Sequence, residues 1–264
     1  MSSVYELTKK FVQAIIPKKV LSRNETFIRR LVSSYYIGTK YECNICNKRL
    51  RKFIKLDRGD LLCPFCGSLP RTRGLYKFID DKLVNKTVLH FSPPKCLKNK
   101  ILETGETNEY ITSDFEDEFE ADLALNIENI DQPDGKYNVI ICYHVLEHIG
   151  DDSQALRELN RITKKEGICI IQTPFKEGDI YENPAITNPT ERLKHFGQKD
   201  HLRIYSPNGL EKRMKEVGFK TEIIVFENEA DNYNGLKEND TILIGKKDVT
   251  TQPLWWLLTK ELHN

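Results

Sequence analysis

Two closely spaced pairs of cysteines give the clearest indication of chemistry in this chain. The pairs are Cys43-Asn-Ile-Cys46 and Cys63-Pro-Phe-Cys66, and 16 residues separate them. Each pair can wrap a tight turn around one metal ion, and the residues between them are enough for a hairpin that brings the pairs together. Because four thiolates leave no open coordination position, we predict a structural Zn²⁺ and not a catalytic one. Two disulfides, or unrelated buried thiols, are the alternatives.

A second group of reactive side chains directly follows an apolar run. The run Val139–Cys142 is continuous and β-prone, which is typical of a strand buried in a parallel sheet. The next polar or aromatic residues are Tyr143, His144, Glu147 and His148. Ligands of open α/β sheets bind just beyond the carboxyl ends of such strands, so the sequence predicts a ligand site here. Within it, Glu147 and His148 are expected to form a structural hydrogen-bonded pair.

A third polar stretch covers residues 192–205 and has the sequence RLKHFGQKDHLRIY. It contains His195, Asp200, His201 and Arg203 in a segment without repeats. This density of polar and titratable groups favours a site over a solvated surface. A polar loop that is held by its own hydrogen bonds is the alternative.

The elements that must position these groups alternate along the chain from Thr87 onward. Helical patterns at 153–165 and 206–218 separate runs that are typical of strands. The predicted strands are 87–91, 109–115, 121–127, 137–143, 166–175, 219–226 and 240–247. We therefore predict an α/β fold with a doubly wound, Rossmann-like seven-stranded sheet that ends in an antiparallel hairpin.

Charge divides the chain into two unlike parts. Residues 1–100 contain 22 Lys and Arg against 7 Asp and Glu, a net charge of +15, whereas residues 101–264 have a net charge of −14. A basic front part indicates an anionic partner, which can be nucleic acid, a membrane surface or a phosphorylated substrate. Attraction between the two parts of the chain is the alternative explanation.

The start of the chain has an amphipathic pattern. Val4, Leu7, Phe11 and Ile15 recur at helical spacing beside lysines. Such a helix can lie on an anionic membrane, although packing on the protein itself is the more common role. The sequence lacks the apolar core of a signal peptide and any run of about 20 apolar residues, so we expect a cytoplasmic protein with peripheral membrane contact at most.

The chain resembles a known family over about residues 40–245. The strand order and the block VIICYHVLEHIGDDSQALRELNRITKKEGICIIQTP are similar to class I S-adenosylmethionine-dependent methyltransferases. With CPFCGSLPRTR, VLHFSPPKCL and ERLKHFGQKDHLRIY added, it resembles a bacterial group of zinc-ribbon methyltransferases. The expected parts are a basic amphipathic helical segment (1–38), a zinc ribbon (39–74), a methyltransferase domain (75–248) and a C-terminal tail (249–264). The Trp255-Trp256 pair of the tail is expected to dock onto this domain, another copy of the chain or a lipid surface.

The resemblance implies a set of residues that bind S-adenosylmethionine. The loop after the first strand would approach the methionine end, Asp114 would accept from the ribose hydroxyls, and Asn126 would contact the adenine. The full set of predicted cofactor residues is His90, Phe91, Ser92, Pro93, Asp114, Asn126, Ile127, Tyr143 and His144. The chain departs from the family's pattern in two places: its loop has no glycine, and Asn126 stands where the family often has Asp.

Methyl transfer to a hydroxyl needs alignment and removal of a proton. A histidine is suited to that second task, and we predict His201 as the base, with Asp200 or His195 orienting it and His144 as a further candidate. The expected acceptor is a sugar, another polar small molecule or a glycan precursor. Two alternatives remain open: an RNA methyltransferase, or a non-catalytic binding module that kept the fold.

Overall fold

The computed structural model describes residues 29, 33–57, 59–115, 120–227 and 231–247. The described residues belong to two compact units. The first takes its residues from Met1–Asp81, Pro94–Gly105 and Phe226–Asp240, and the second from Lys82–Pro93, Glu106–Val225 and Thr241–Asn264. Most of the predicted segment 1–38 and the tail with its tryptophan pair lie outside the described residues, so their helical structure and membrane or docking contacts stay predictions.

Among the described residues, the elements of the first unit with known bounds are short hairpins, a 3-10 helix at Ser34–Tyr36 and two α-helices. Its elements are β1 (Ile37–Cys43), β2 (Lys48–Leu50), β3 (Ile54–Lys55), β4 (Leu61–Leu62), α1 (Pro70–Ile79) and α2 (Lys95–Thr104). Strand β1 pairs with β2 and β3 pairs with β4, both in antiparallel register. The unit therefore contains the predicted ribbon, together with α2 and residues 226–240 from much later in the chain.

The second unit alternates strands and helices. Its elements are β5 (Thr87–Phe91), β6 (Glu109–Ser113), β7 (Tyr137–Tyr143), α3 (Asp152–Ile162), β8 (Thr163–Gln172), β9 (Tyr181–Glu182), α4 (Pro189–Phe196), β10 (Arg203–Ile204), α5 (Pro207–Glu216), β11 (Phe219–Val225) and β12 (Thr241–Lys247). A short 3-10 helix, Leu146–His148, follows β7. In the described part of the chain, no helix is both long and apolar enough to cross a membrane.

The main sheet has six strands in the order β11-β12-β8-β7-β5-β6. Strands β6, β5, β7 and β8 are parallel to one another, and β12 and β11 add an antiparallel hairpin at one edge. Strand β7 is buried from Val139 to Tyr143 because sheet neighbours flank it on both sides and the core covers its faces. The predicted α/β fold and its antiparallel ending are confirmed.

The prediction of a strand over residues 121–127 is wrong. The described residues form only one isolated parallel bridge there, between Ser113 and Leu123. At this edge of the sheet, hydrogen bonds from side chains take the place of the regular backbone hydrogen bonds between strands. The Asp122 carboxylate accepts hydrogen bonds from the amide and hydroxyl of Thr112, at 2.8 and 2.6 Å, and the Leu125 amide donates to the Ser113 hydroxyl at 3.1 Å. These bonds satisfy backbone groups that a seventh strand would otherwise pair.

Both predicted helices of the second unit begin with a side-chain cap. The Asp151 carboxylate accepts from the Gln154 amide at the start of α3, and the Ser206 hydroxyl accepts from the Gly209 amide at the start of α5. Pro207 occupies the first helical position of α5, where its missing N–H costs nothing. Helix α3 packs on β8 and α5 packs on β11 and β12, so the apolar faces seen in the sequence are buried.

Candidate functional site

The four predicted zinc ligands come together in the first unit. The sulfur atoms of Cys43, Cys46, Cys63 and Cys66 lie within 4.8 Å of one another, with 3.7 Å between Cys43 and Cys66 and 3.8 Å between Cys46 and Cys63. Four sulfurs placed about 2.3 Å from one Zn²⁺ stand about 3.8 Å apart in a regular tetrahedron. All seven cysteines of the chain are free thiols, which removes the disulfide alternative. The cluster therefore has the size that one zinc ion requires.

Sulfur–sulfur hydrogen bonds distribute the protons of this cluster unequally. The bond with Cys46 is the main cause that lowers the pKa of Cys43 to about 7, and the bond with Cys43 lowers the pKa of Cys66. The same bonds raise the pKa of Cys46 and Cys63. The four thiols therefore interact strongly with one another, because their sulfur atoms are held close together.

The two cysteine pairs lie in turns that have the same hydrogen-bond pattern. The Asn47 amide donates to the Cys43 carbonyl at 2.7 Å, and the Gly67 amide donates to the Cys63 carbonyl at 3.0 Å. Asn47 and Gly67 both adopt left-handed backbone conformations, with φ of 54° and 77°. Asparagine and glycine tolerate that conformation best, so the residue after each pair suits the turn.

A fully buried arginine, Arg73, supports the cysteine cluster from α1. Its guanidinium donates to the carbonyls of Ser68 at 2.6 Å, Leu61 at 2.7 Å, Asn234 at 2.7 Å and Gly235 at 2.5 Å. Burial lowers the pKa of Arg73, and the charges of the nearby cysteines oppose that change. Four thiolates around Zn²⁺ carry a net charge of −2, so a buried cation beside them offsets it. Arg73 is not among the site residues predicted from the sequence.

In the second unit, the loop after β5 turns without a glycine. Ser92 takes the left-handed conformation, with φ of 45°, which is rare for residues other than glycine, asparagine and aspartate. Its amide donates to the Ser113 carbonyl and its hydroxyl donates to Oδ1 of Asp114, both at 2.7 Å. These two bonds help to hold Ser92 in this conformation.

The first two residues of the predicted cofactor loop lie inside the sheet. His90 is fully buried, its Nδ1 is 2.9 Å from the Tyr110 hydroxyl, and burial lowers its pKa to about 3. Phe91 belongs to the core of the second unit. His90 and Phe91 are predicted cofactor contacts, whereas the described loop leaves β5 only at Ser92 and Pro93.

Asp114 follows β6 directly and is largely buried. One of its carboxylate oxygens accepts from Ser92, and its amide donates to the Leu123 carbonyl at 3.0 Å. A carboxylate has about four lone-pair positions, so it can serve Ser92 and still accept from hydroxyls of a ligand. Its position and chemistry fit the predicted ribose contact.

The predicted adenine contacts differ in their surroundings. Asn126 is exposed, and its side-chain oxygen accepts from the Glu128 amide at 2.9 Å. Ile127 is buried in the core of the second unit. The amide oxygen proposed for the adenine is therefore engaged in a turn of the chain itself.

Tyr143 ends the central strand β7 and His144 follows it, at the same edge of the sheet as Ser92 and Asp114. Like Ser92, His144 adopts the left-handed conformation, with φ of 56°, and its amide donates to the Gln172 carbonyl at 2.8 Å. Non-glycine residues in this conformation concentrate at binding and catalytic sites. Four of the predicted cofactor residues thus meet at the carboxyl ends of three neighbouring parallel strands.

A cluster of titratable groups lies just beyond β7. Nδ1 of His144 is 3.0 Å from Oε1 of Glu147, and Nδ1 of His148 is 3.2 Å from Oδ2 of Asp200. The rings of His148 and His201 meet edge to face, with centroids 4.8 Å apart. Instead of the predicted pairing with each other, Glu147 contacts His144 and His148 contacts Asp200.

His201, the predicted base, is 2% exposed. Its Nδ1 lies 3.2 Å from the Phe196 carbonyl oxygen. Because a carbonyl can only accept, Nδ1 has the proton and Nε2 has the lone pair. Burial lowers the pKa of His201, which keeps the ring neutral. The predicted orienting residues have other partners, since Asp200 contacts His148 and His195 contacts the Tyr181 hydroxyl at 2.7 Å.

The end of the predicted segment 192–205 has a structural role. Arg203 donates to the carbonyls of Ile149 and Gly150 and to the Glu182 carboxylate, and the Tyr205 hydroxyl donates to Asp152 at 2.5 Å. Burial raises the pKa of Tyr205, so the hydroxyl keeps its proton. These bonds fix the loop that contains Glu147 and His148. For Arg203 and Tyr205, the alternative of a loop held by internal hydrogen bonds is the correct one.

Comparison with known proteins places this site in a family. The methyltransferase-domain family matches residues 83–222. The chain is similar to a tRNA U34 carboxymethyltransferase of Sulfurimonas denitrificans, with 29% identity over 147 residues; the match covers 54% of this chain and only 44% of that relative.

Two solved structures are also similar. One is a putative S-adenosylmethionine-dependent methyltransferase from Listeria monocytogenes, with 14% identity, a TM-score of 0.48, and coverage of 68% of this chain and 99% of that one. The other is a methyltransferase of the same cofactor dependence from Archaeoglobus fulgidus, with 16% identity, a TM-score of 0.46, and coverage of 67% and 93%. The narrower zinc-ribbon group stays a prediction.

The family match extends over more than half of the chain and includes every described residue of the predicted cofactor site. The sheet order, with four parallel strands and an antiparallel hairpin, agrees with it. The chain therefore belongs to the methyltransferase-domain family.

Proposed function

We propose that the protein methylates an oxygen of a polar small molecule, such as a hydroxyl of a sugar or of a glycan precursor. The observation that carries this proposal is the neutral, buried His201, whose lone pair is on Nε2 and which lies beside Glu147 and His148 just beyond the central strand. A hydroxyl must lose its proton as the new bond to carbon forms, so groups that promote this loss belong beside the methyl donor.

The residues at the strand ends are proposed to hold the cofactor. S-adenosylmethionine, when bound, supplies a methyl group on a positively charged sulfur that leaves as a neutral thioether. Asp114 would accept from the ribose hydroxyls, and Ser92 and Pro93 would face the methionine end. Tyr143 and His144 would form the wall beside β7.

The cysteine cluster is proposed to be structural. All four coordination positions of a Zn²⁺ would be filled by Cys43, Cys46, Cys63 and Cys66, so no position remains for a substrate. The ion would instead hold together the small hairpins of the first unit.

Titration calorimetry with S-adenosylmethionine and its demethylated product tests the cofactor site first. We expect micromolar binding of both to the zinc-loaded protein. Methyl transfer is then measured with nucleotide sugars and free sugars as acceptors, by mass increase of the acceptor. Cofactor binding without transfer to any oxygen acceptor, combined with transfer to an amine, would overturn the proposal of an oxygen acceptor.

RNA is the second candidate acceptor, and two observations favour it. The relative from Sulfurimonas denitrificans is named as a tRNA-modifying enzyme, and residues 1–100 of this chain have a net charge of +15. Retention of tRNA on immobilised protein, measured over a range of salt concentrations, separates the candidates. Strong retention that falls steeply with salt, together with methyl transfer to the tRNA, would favour RNA over a small molecule.

A further inference from the structure

The cluster beyond β7 contains more unsatisfied atoms than a buried hydrogen-bond network normally does. Oε2 of Glu147 and Nε2 of His201 are both buried and have no hydrogen-bond partner among the described residues. Buried polar atoms are almost always paired, and a buried carboxylate oxygen is costly to leave alone. Two such atoms in one cluster indicate that a ligand belongs between them.

The geometry points to a divalent metal cation, and we propose that Glu147, His148 and His201 bind it. Each of the three residues offers one ligand atom, and these atoms lie within 4.8 Å of one another. Ligands about 2.1 Å from one ion stand no more than about 4.2 Å apart, so a small adjustment closes the site around a cation. Two imidazoles and one carboxylate suit first-row cations such as Mn²⁺, Fe²⁺ or Zn²⁺.

The second atom of each proposed ligand is already fixed by an outer partner. Glu147 Oε1 accepts from His144 at 3.0 Å, His148 Nδ1 faces Asp200 at 3.2 Å, and His201 Nδ1 donates to the Phe196 carbonyl at 3.2 Å.

This arrangement leaves Oε2 of Glu147 and Nε2 of both histidines for the cation. Metal-binding histidines usually donate their other N–H to a carboxylate or a carbonyl, and these partners set the tautomer and the ring orientation. The outer partners of the two histidines, the Asp200 carboxylate and the Phe196 carbonyl, are of those two kinds.

The site differs from the cysteine cluster in the role that it can take. Three protein ligands leave open positions on the cation, which a substrate oxygen can occupy. A hydroxyl bound to a divalent cation has a lowered pKa, so its proton leaves to water more easily. This inference rests on the proposed oxygen acceptor and deepens it: His201 would hold the cation that activates the acceptor, in place of taking the proton itself.

Manganese binding to the full chain tests the proposal. The protein is first loaded with Zn²⁺ and desalted, because Mn²⁺ prefers oxygen and nitrogen ligands and does not displace zinc from four thiolates. Mn²⁺ is then titrated, and the free ion is measured by electron paramagnetic resonance. We expect one bound Mn²⁺ per chain. Glu147→Gln, which keeps the shape of the side chain, should weaken binding at least tenfold, and Asp200→Asn, which alters only an outer partner, by about tenfold.

Glu222→Gln is the matched control. Glu222 is an exposed acid on β11 that pairs with Lys246, and its replacement should leave Mn²⁺ affinity unchanged. His201→Ala, checked for folding by circular dichroism, is the second ligand variant. Equal affinity of the wild type, Glu147→Gln and His201→Ala would overturn the proposal.

Cofactor titrations on the same samples separate this inference from the proposed function. Bound Mn²⁺ without S-adenosylmethionine binding would uphold the cation site and contradict the cofactor site. Cofactor binding and methyl transfer without Mn²⁺ binding would contradict the cation site and leave His201 as the proposed base.

Discussion

The Ser92 hydroxyl donates a 2.7 Å hydrogen bond to Oδ1 of Asp114, and this bond joins the ends of neighbouring parallel strands β5 and β6. It fixes one oxygen of the carboxylate and also helps to hold Ser92 in its left-handed conformation. The turn and the proposed ribose ligand therefore form one unit, and a change in either residue affects both.

Replacement of Asp114 should weaken cofactor binding. Asp114→Asn turns one charged acceptor into a neutral amide, and hydrogen bonds to charged groups contribute about 1.5–3 kcal/mol, which corresponds to at least tenfold in affinity. Calorimetric titration with S-adenosylmethionine measures the effect. Asp131→Asn, an exposed acid of the same unit, is the control and should bind as the wild type does. Equal affinities of both variants would contradict the ribose role.

The order of stability of the glycine and alanine variants should be reversed between Ser92 and a helical serine. At Ser92 both variants lose the hydroxyl bond, but glycine relieves the positive φ, so Ser92→Gly should be more stable than Ser92→Ala by about 1 kcal/mol. At Ser153, the second residue of α3, glycine should be less stable than alanine, by at most about 1 kcal/mol because this position lies in the first turn and not in the helix interior. Urea unfolding of the four variants gives both differences. The same order at both positions would show that φ at Ser92 is not strained.

Loss of one cysteine from the cluster should release zinc. Cys46→Ser removes one of four sulfur ligands, so we expect the zinc content to fall from one ion per chain and the first unit to lose protection from proteolysis. Metal content after dialysis against a chelator is the measurement. Cys169→Ala, a buried cysteine of β8, is the control that should retain its zinc. Full retention in Cys46→Ser would rule out the four-cysteine site.

The buried His90 should make stability depend on pH. Its pKa is about 3 in the folded protein and 6.5 as its ordinary value, so the unfolded chain binds the proton first as pH falls. The free energy of unfolding should therefore decrease between pH 6.5 and 3, by about 2 kcal/mol at pH 5 from this residue alone. His201 acts in the same direction because its pKa is also lowered.

The contribution of His90 is isolated by the variant His90→Gln, whose amide can still bond to Tyr110. Urea unfolding at several pH values should show a smaller loss of stability at pH 5 in the variant than in the wild type. Parallel curves for the two proteins would mean that His90 accepts a proton in the folded state.

His201→Ala should separate turnover from cofactor binding. We expect methyl transfer to fall at least 100-fold, since groups that promote proton loss contribute about 10² to 10⁴. Affinity for S-adenosylmethionine should stay within about twofold, because no proposed cofactor contact involves this ring. Turnover at the wild-type rate would remove His201 from the mechanism.

Local patterns in the sequence were enough for the cysteine cluster and for most of the sheet. The spacing of the cysteine pairs fixed their turns, and the continuous apolar run of β7 identified a buried central strand. Residues 121–127 also alternate, but Asp122 bonds back to Thr112 and breaks the ladder. A side chain that competes for backbone groups leaves no trace in hydrophobic periodicity.

The candidate site was only partly predictable because its partners are distant in sequence. His201 was identified by residue type, but its orienting group is a backbone carbonyl, which any residue at position 196 would provide. Arg73 appeared as one more basic residue of the front part, and only the folded chain shows its carbonyl partners. Charge counts describe solvent-facing residues well and cannot reveal a cation that folding buries.

The partners of Arg73 have a consequence for synthesis on the ribosome. Two of its acceptors, the Asn234 and Gly235 carbonyls, are made 161 and 162 residues after it. The four cysteines are synthesised long before those residues, so the nascent chain can gather its proposed metal ligands early but can complete the burial of this guanidinium only after residue 235 has been made. A chain that stalls before that point would leave the Arg73 guanidinium without two of its acceptors.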